Sequence, residues 1–261
     1  MSDEPKFFKR NFINNASILL ASTGQATVGR IFDRDSELQW QSVGSDDVTL
    51  ETIRIDFKSA GIDFIRSVDF LVVLGHNLAN FSFEHDIGAG FIATPLTTVV
   101  GETDNFTILP ITKIPGVIKI RLRMTTTQDV DDEKKVGEIL ALERLYEPPD
   151  GEAPARLGFN NKPVAKITSM WDGGTKVNLL RWAGNRAERY SARIGFDLTS
   201  QANYKLLRTV LKQASFVLQP EPDQNPEEFF QVTHARTGHP AGYTGRFKGS
   251  GYTHSISVEE D

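Results

Sequence analysis

The residues with the types and spacing for chemistry are few. Asp33 and Asp35 stand one residue apart in the polar stretch Asp33-Arg34-Asp35-Ser36-Glu37. Paired carboxylates suit a hard cation, with calcium the candidate; the same pair also suits a solvated Asx turn. Trp40 follows, with Ser42 two residues on. Its ring offers a π face to a sugar, or anchors a loop onto a core. His76-Asn77 comes directly after an apolar run, where it would donate to a ligand or satisfy the backbone at a strand end. His234, His239 and His254 are the remaining candidates, but zinc needs three or four convergent ligands, and while the first two are five residues apart the third is on another segment.

Nucleophilic and phosphate-binding signatures are missing. There is no G-x-S-x-G, no H-E-x-x-H, no P-loop, and no G-x-G-x-x-G between a strand and a helix. The glycine-rich, basic Gly245–Gly251 segment precedes a strand, so no helix N-terminus backs it and it reads as a hairpin turn. These absences weigh against catalysis, although a carboxylate pair for glycoside hydrolysis is defined by spatial separation and sequence singles out none.

Composition narrows the setting. With no cysteine among 261 residues, disulfides, thiol catalysis and cysteine-bound zinc are excluded. No apolar run approaches the ~18 residues of a membrane span, and Met1–Lys6 lacks the pattern of a signal peptide. Folding in a cytoplasm, without membrane insertion, is the expectation. Residues 1–154 carry 15 basic and 24 acidic side chains, and residues 155–261 carry 14 and 10. The basic residues form no run, which argues against nucleic-acid binding; opposite-sign halves favour head-to-tail contacts between copies.

The elements that must position the candidates are mostly strands. Thr52–Phe57 alternates, with Ile53, Ile55 and Phe57 on one face. Ser67–Leu74 is continuously apolar, as a central strand buried on both sides should be. Val117–Met124 places Ile118, Ile120, Leu122 and Met124 inward and Lys119, Arg121 and Arg123 outward. Ser17–Leu20, Asn80–Glu84 and Val136–Leu145 read as further strands. Glu147–Pro154, with three prolines, a glycine and three acids, is a linker. It divides a sandwich at 12–146 from a second domain at 156–261, behind an N-terminal arm, 1–11, whose Phe7 and Phe8 are apolar enough to dock. In the second domain Asp172-Gly173-Gly174 marks a hairpin, Tyr190–Leu198 alternates, Thr199-Ser200 caps a helix over about 201–213, and Ser215–Leu218, Phe229–His234 and Ser250–Val258 are strands.

Across about 14–146 the chain resembles discoidin-like, galactose-binding-type domains, on the Asp33/Asp35 turn, Trp40 with Ser42, the alternating strand, His76-Asn77-Leu78 and the closing 138–145 segment. The resemblance implies a jelly-roll β-sandwich whose end loops hold ligands; Trp40, His76 and Asn77 are the ligand-binding candidates there, and Asp33 and Asp35 the metal candidates. The 88–95 and 101–110 segments depart from the compact spacing of those domains. Across about 160–258 the order of hairpin, polar strand, helix and Phe216-Val217-Leu218-Gln219-Pro220 resembles the β-rich structural domains, with one helix, of bacteriophage distal-tail and tail-tip proteins. Together these imply a non-enzymatic virion tail protein, assembling with itself and other tail proteins and carrying an adhesive domain for host attachment. The other expectation is a carbohydrate-binding module for cell-surface glycans.

Overall fold

In the computed structural model the described residues are 6–14, 16–32, 38–59, 61–92 and 96–147. Beyond them are 157–159, 166–172, 175–181, 191–198, 205–206, 209–210, 212–213, 215–219, 222, 226–227, 229–234, 246–248 and 251–260. The chain divides into two compact units, Phe8–Arg144 and a second made of Met1–Phe7 with Leu145–Asp261. No helix among the described residues is long and apolar enough to cross a membrane.

The first unit is a jelly-roll β-sandwich. One antiparallel sheet has five strands in the order Ile18–Ala21, Glu51–Asp56, Lys119–Thr127, Leu78–Asp86, Thr97–Val99; the other has three, Phe106–Val117, Arg66–Leu74, Glu138–Leu142. Period-2 alternation fills the space between them. Ile53, Ile55, Ile120, Leu122, Met124, Phe81 and Phe83 point in from the larger sheet, and Val68, Leu71, Val73, Ile139 and Ala141 from the smaller. Burying each of these side chains, the small Ala141 aside, contributes roughly 1.5–3 kcal/mol. The central Arg66–Leu74 strand buries Phe70 and Val72 on its other side as well, which is why its sequence runs apolar instead of alternating. Phe8 packs against Phe70 with the rings tilted by 41° and their centroids 4.8 Å apart.

Three details depart from the sequence-based expectations. Ile118 lies outside the Lys119–Thr127 strand and is half-buried: Ile118 N–H bonds Asp86 O and its carbonyl accepts from Phe57 N–H, outside the ladder. Phe106–Val117 is a twelve-residue strand despite Pro110 and Pro115. It lies at the edge of its sheet with two register shifts, where a missing N–H breaks no ladder bond. Gln25–Phe32 is a 3₁₀ helix that buries Val28 and Ile31.

The second unit is β-rich. Its sheet runs Arg144–Tyr146, Lys6–Lys9, Ser215–Gln219, Phe230–His234, Gly251–Glu260, Ser191–Leu198, Leu157–Phe159, with Arg246–Lys248 paired to Gly251–Glu260. The N-terminal segment is thus a strand, and Phe7 packs 5.9 Å from Phe216. Lys166–Asp172 and Thr175–Arg181 pair antiparallel up to Asp172 and Thr175, the hairpin that Asp-Gly announces. Of the predicted helix, Lys205, Leu206, Thr209 and Val210 are described and helical, with Val210 buried.

Candidate functional site

Trp40, His76 and Asn77 all belong to one end of the sandwich, and all three serve its architecture. Trp40 pairs with Val136 across a two-stranded ladder and is wholly buried. Its Nε1–H donates to Thr23 O at 3.3 Å. Neither face of the ring is open to a sugar, because a large apolar ring gains more from the core than from water. Gly24 makes this fit: a Cβ there would stand 2.2 Å from Gln41 O and 3.0 Å from Trp40 Nε1. Ser42 continues the anchor, its Oγ accepting from Lys134 N–H at 2.9 Å.

His76 is buried within a chain of hydrogen bonds. Leu78 N–H donates to Nδ1 at 3.1 Å, so the ring proton sits on Nε2. Nε2–H meets Thr107 Oγ1 at 2.9 Å, and that hydroxyl donates to Glu102 Oε2 at 3.0 Å. Burial pushes the His76 pKa down to about 4, against the pull of Glu102 and Asp104. The imidazole is therefore neutral at ordinary pH and faces protein on both nitrogens. Asn77 is equally committed. Its Nδ2 donates to Asp132 Oδ2 and Glu133 O, both at 2.8 Å, and its Oδ1 accepts from Lys135 N–H at 2.8 Å. The expected ligand-binding trio is thus a loop-fixing trio.

A buried cation completes this end. Lys134 Nζ donates to Asp46 O at 2.8 Å and Asp47 O at 3.3 Å. Burial lowers its pKa, and Glu51, Asp46 and Asp47 oppose that. Asp33 and Asp35 lie outside the described residues, as does His239. Among the described residues no group of three or more His, Asp or Glu side chains could hold a metal ion.

The outer face of the five-stranded sheet is different. Because Ile53, Ile55, Phe81, Phe83, Ile120 and Leu122 point inward, Arg54, Asp56, Glu84, Asp86, Lys119, Arg121 and Arg123 must point outward. Register places Arg54 opposite Arg121 and Arg121 opposite Glu84. Arg54 grips Asp56 with two parallel bonds, Nε to Oδ1 at 2.7 Å and Nη2 to Oδ2 at 2.6 Å. Arg121 Nε and Nη2 both donate to Glu84 Oε2, the first at 2.7 Å. Arg123 Nη1 donates to Glu84 Oε1 at 2.8 Å. Burial would raise the Glu84 pKa, but Arg123 and Arg121 hold it below the usual value.

The result is an asymmetry of exposure. The Glu84 and Asp56 side chains are 2% and 6% exposed, whereas Arg54, Arg121 and Arg123 are 37%, 32% and 40% exposed. Nη1 of Arg54, Nη1 of Arg121, and Nε and Nη2 of Arg123 have no partner among the described residues. Phe91 closes one side, its ring centroid 4.2 Å from Arg121 Cζ. The loop that carries it is fixed by Asp86 Oδ1, which accepts from Gly88 N–H at 2.7 Å and Gly90 N–H at 3.0 Å. The outward set of Lys119, Arg121 and Arg123 is readable in the sequence. Its meeting with Arg54 and Glu84 depends on strand register, which the sequence alone does not give.

No family model matches the chain, and no curated protein does. Solved structures similar to it include a chitosan-binding module of a chitosanase/glucanase from Paenibacillus sp. IK-5, at 16% identity over 51% of this chain and 98% of that one, TM-score 0.42. A pectin-binding carbohydrate-binding module matches at 18% identity over 53% and 97%, TM-score 0.37. A fucosidase from Ruminococcus gnavus in complex with fucose matches at 16% identity over 52% of this chain and 27% of that one, TM-score 0.42. At these scores the likeness carries no inference about a ligand for this chain.

Proposed function

We propose that this chain is a non-catalytic glycan-binding protein whose sandwich recognises a polysaccharide on the outer face of its five-stranded sheet. The observation that carries the reading is the set of free guanidinium edges on Arg54, Arg121 and Arg123, held in place from below by Asp56 and Glu84 and flanked by Phe91. Such a face is preorganised: its side chains are already ordered, so a ligand need not supply that entropy. It also runs across strands, which suits a chain better than a single sugar. The ligand-binding candidates at the loop end, His76 and Asn77, are occupied by structural hydrogen bonds, which favours the sheet face as the binding surface.

The reading as a virion tail subunit rests on the order of elements across 160–258. The arginine face of the sandwich belongs to the other unit, and on that observation glycan binding leads. A polysaccharide array probed with the full-length protein tests it. Retention by a defined subset of glycans, with their chain length unchanged after incubation, is the expected outcome. Retention by none, or shortening of the bound chains, would sink it.

A further inference from the structure

The free groups on the sheet face also select the chemistry of the ligand, and this step rests on the glycan-binding reading above. Each unengaged atom is a donor. A neutral sugar presents hydroxyls that donate as well as accept, whereas the carboxylate acceptors beneath these guanidinium edges, Asp56 and Glu84, are engaged by the arginines and shielded from water. A carboxylate is the complement: it accepts through two oxygens and donates nothing. The planar fork of arginine matches it in bidentate geometry.

Spacing and charge agree. Arg54 and Arg121 are direct cross-strand partners, and Arg121 and Arg123 are two residues apart on one strand, so neighbouring positions lie roughly 5–7 Å apart. Like charges directly opposed repel. Asp56 and Glu84 hold the arginines together yet neutralise only two of the three, and the third outward acid, Asp86, is matched by Lys119 at 3.5 Å. The excess of positive charge stands on the half of the chain with the acidic surplus, 24 acids to 15 bases in residues 1–154. Composition therefore does not account for it.

We infer that the outer face of the five-stranded sheet takes an acidic polysaccharide, with Arg54, Arg121 and Arg123 receiving its uronate carboxylates. Affinity electrophoresis of the full chain tests this, with polygalacturonate, neutral galactan and dextran sulfate each cast in a native gel. The variant is R54Q/R123Q, which keeps Arg121 on Glu84 and leaves an amide donor beside Asp56. Polygalacturonate should retard the wild type most, and the variant should lose about tenfold in affinity, the worth of one charged hydrogen bond. Thermal melting monitors the fold, with R123Q alone as the milder variant if the double one melts early. Unchanged retardation of a folded variant, or equal retardation by dextran sulfate, would overturn the uronate assignment. Retardation by galactan alone would overturn it too while leaving the glycan-binding reading intact, and retardation by none of the three would overturn both.

Discussion

Glu84 lies directly opposite Arg121 on the neighbouring strand, and its carboxylate is shared between Arg121 and Arg123 while almost wholly shielded from water. That relationship makes an outward-facing acid a structural part of a cationic surface. Removing it leaves Arg121 and Arg123 without the carboxylate they share.

E84Q should therefore destabilise the sandwich at neutral pH, by about 1–3 kcal/mol for a buried partner of a charged donor. The arginines hold the folded Glu84 pKa below its ordinary 4.5, so this contribution is present above about pH 4.5 and is lost as pH falls through the folded value. Urea unfolding at pH 7 and pH 3 should show a gap between wild type and variant that narrows at pH 3. A gap of equal size at both would contradict the assignment.

His76 gives a second, higher window. Its folded pKa of about 4 lies below the ordinary 6.5, chiefly through burial. The unfolded chain takes up the proton first, so stability is full above pH 6.5 and declines as pH falls toward 4. The decline should reach about 3 kcal/mol, at 1.36 kcal/mol per pKa unit. H76Q should start less stable at pH 7 but lose less between pH 6.5 and 4.5. His85, also lowered by burial, contributes a slope to both proteins, so the difference between them is the quantity to measure.

Lys134 fixes the loop that holds Asp46 and Asp47. K134M leaves two carbonyls without their donor and should cost about 2 kcal/mol. Amide hydrogen exchange across residues 42–50 should quicken more than in the Arg66–Leu74 strand. Unchanged exchange in that loop would show that the ammonium does not close it.

Two glycines in sequence proximity should respond oppositely. Gly24 has a φ of +59° and no room for a Cβ, so G24A should destabilise by more than about 1 kcal/mol. A Cβ at Gly29, in the 3₁₀ helix, would meet nothing within 4 Å. G29A should be neutral or gain up to about 1 kcal/mol. Melting temperatures of the two variants check both.

Much of the sandwich is legible from alternation, because a sheet with one buried face writes that face into every second residue. Ile53, Ile55 and Phe57, and Ile120, Leu122 and Met124, are inward as their spacing says. The Phe106–Val117 strand escapes such reading because its two prolines and irregular register mask the pattern. The Gln25–Phe32 helix escapes because its burial is confined to Val28 and Ile31. The site was harder. Trp40, His76 and Asn77 are the residue types that bind sugars, yet the same properties, a large ring and several hydrogen-bonding groups, also make good anchors. Arg54 and Glu84 are unremarkable in sequence and become a pair of neighbours to Arg121 only once register is known.

The most direct test is to map where a ligand sits. Backbone amide chemical shifts of the labelled full-length protein would be followed during titration with oligogalacturonate. The perturbed amides should cluster in residues 52–56 and 119–123, the two strands that carry the arginines, and in 82–86, the strand that carries Glu84. Perturbations confined to the loop end, at 42–50, 101–106 and 128–133, or none at all, would contradict the claim that the sheet face is the binding surface.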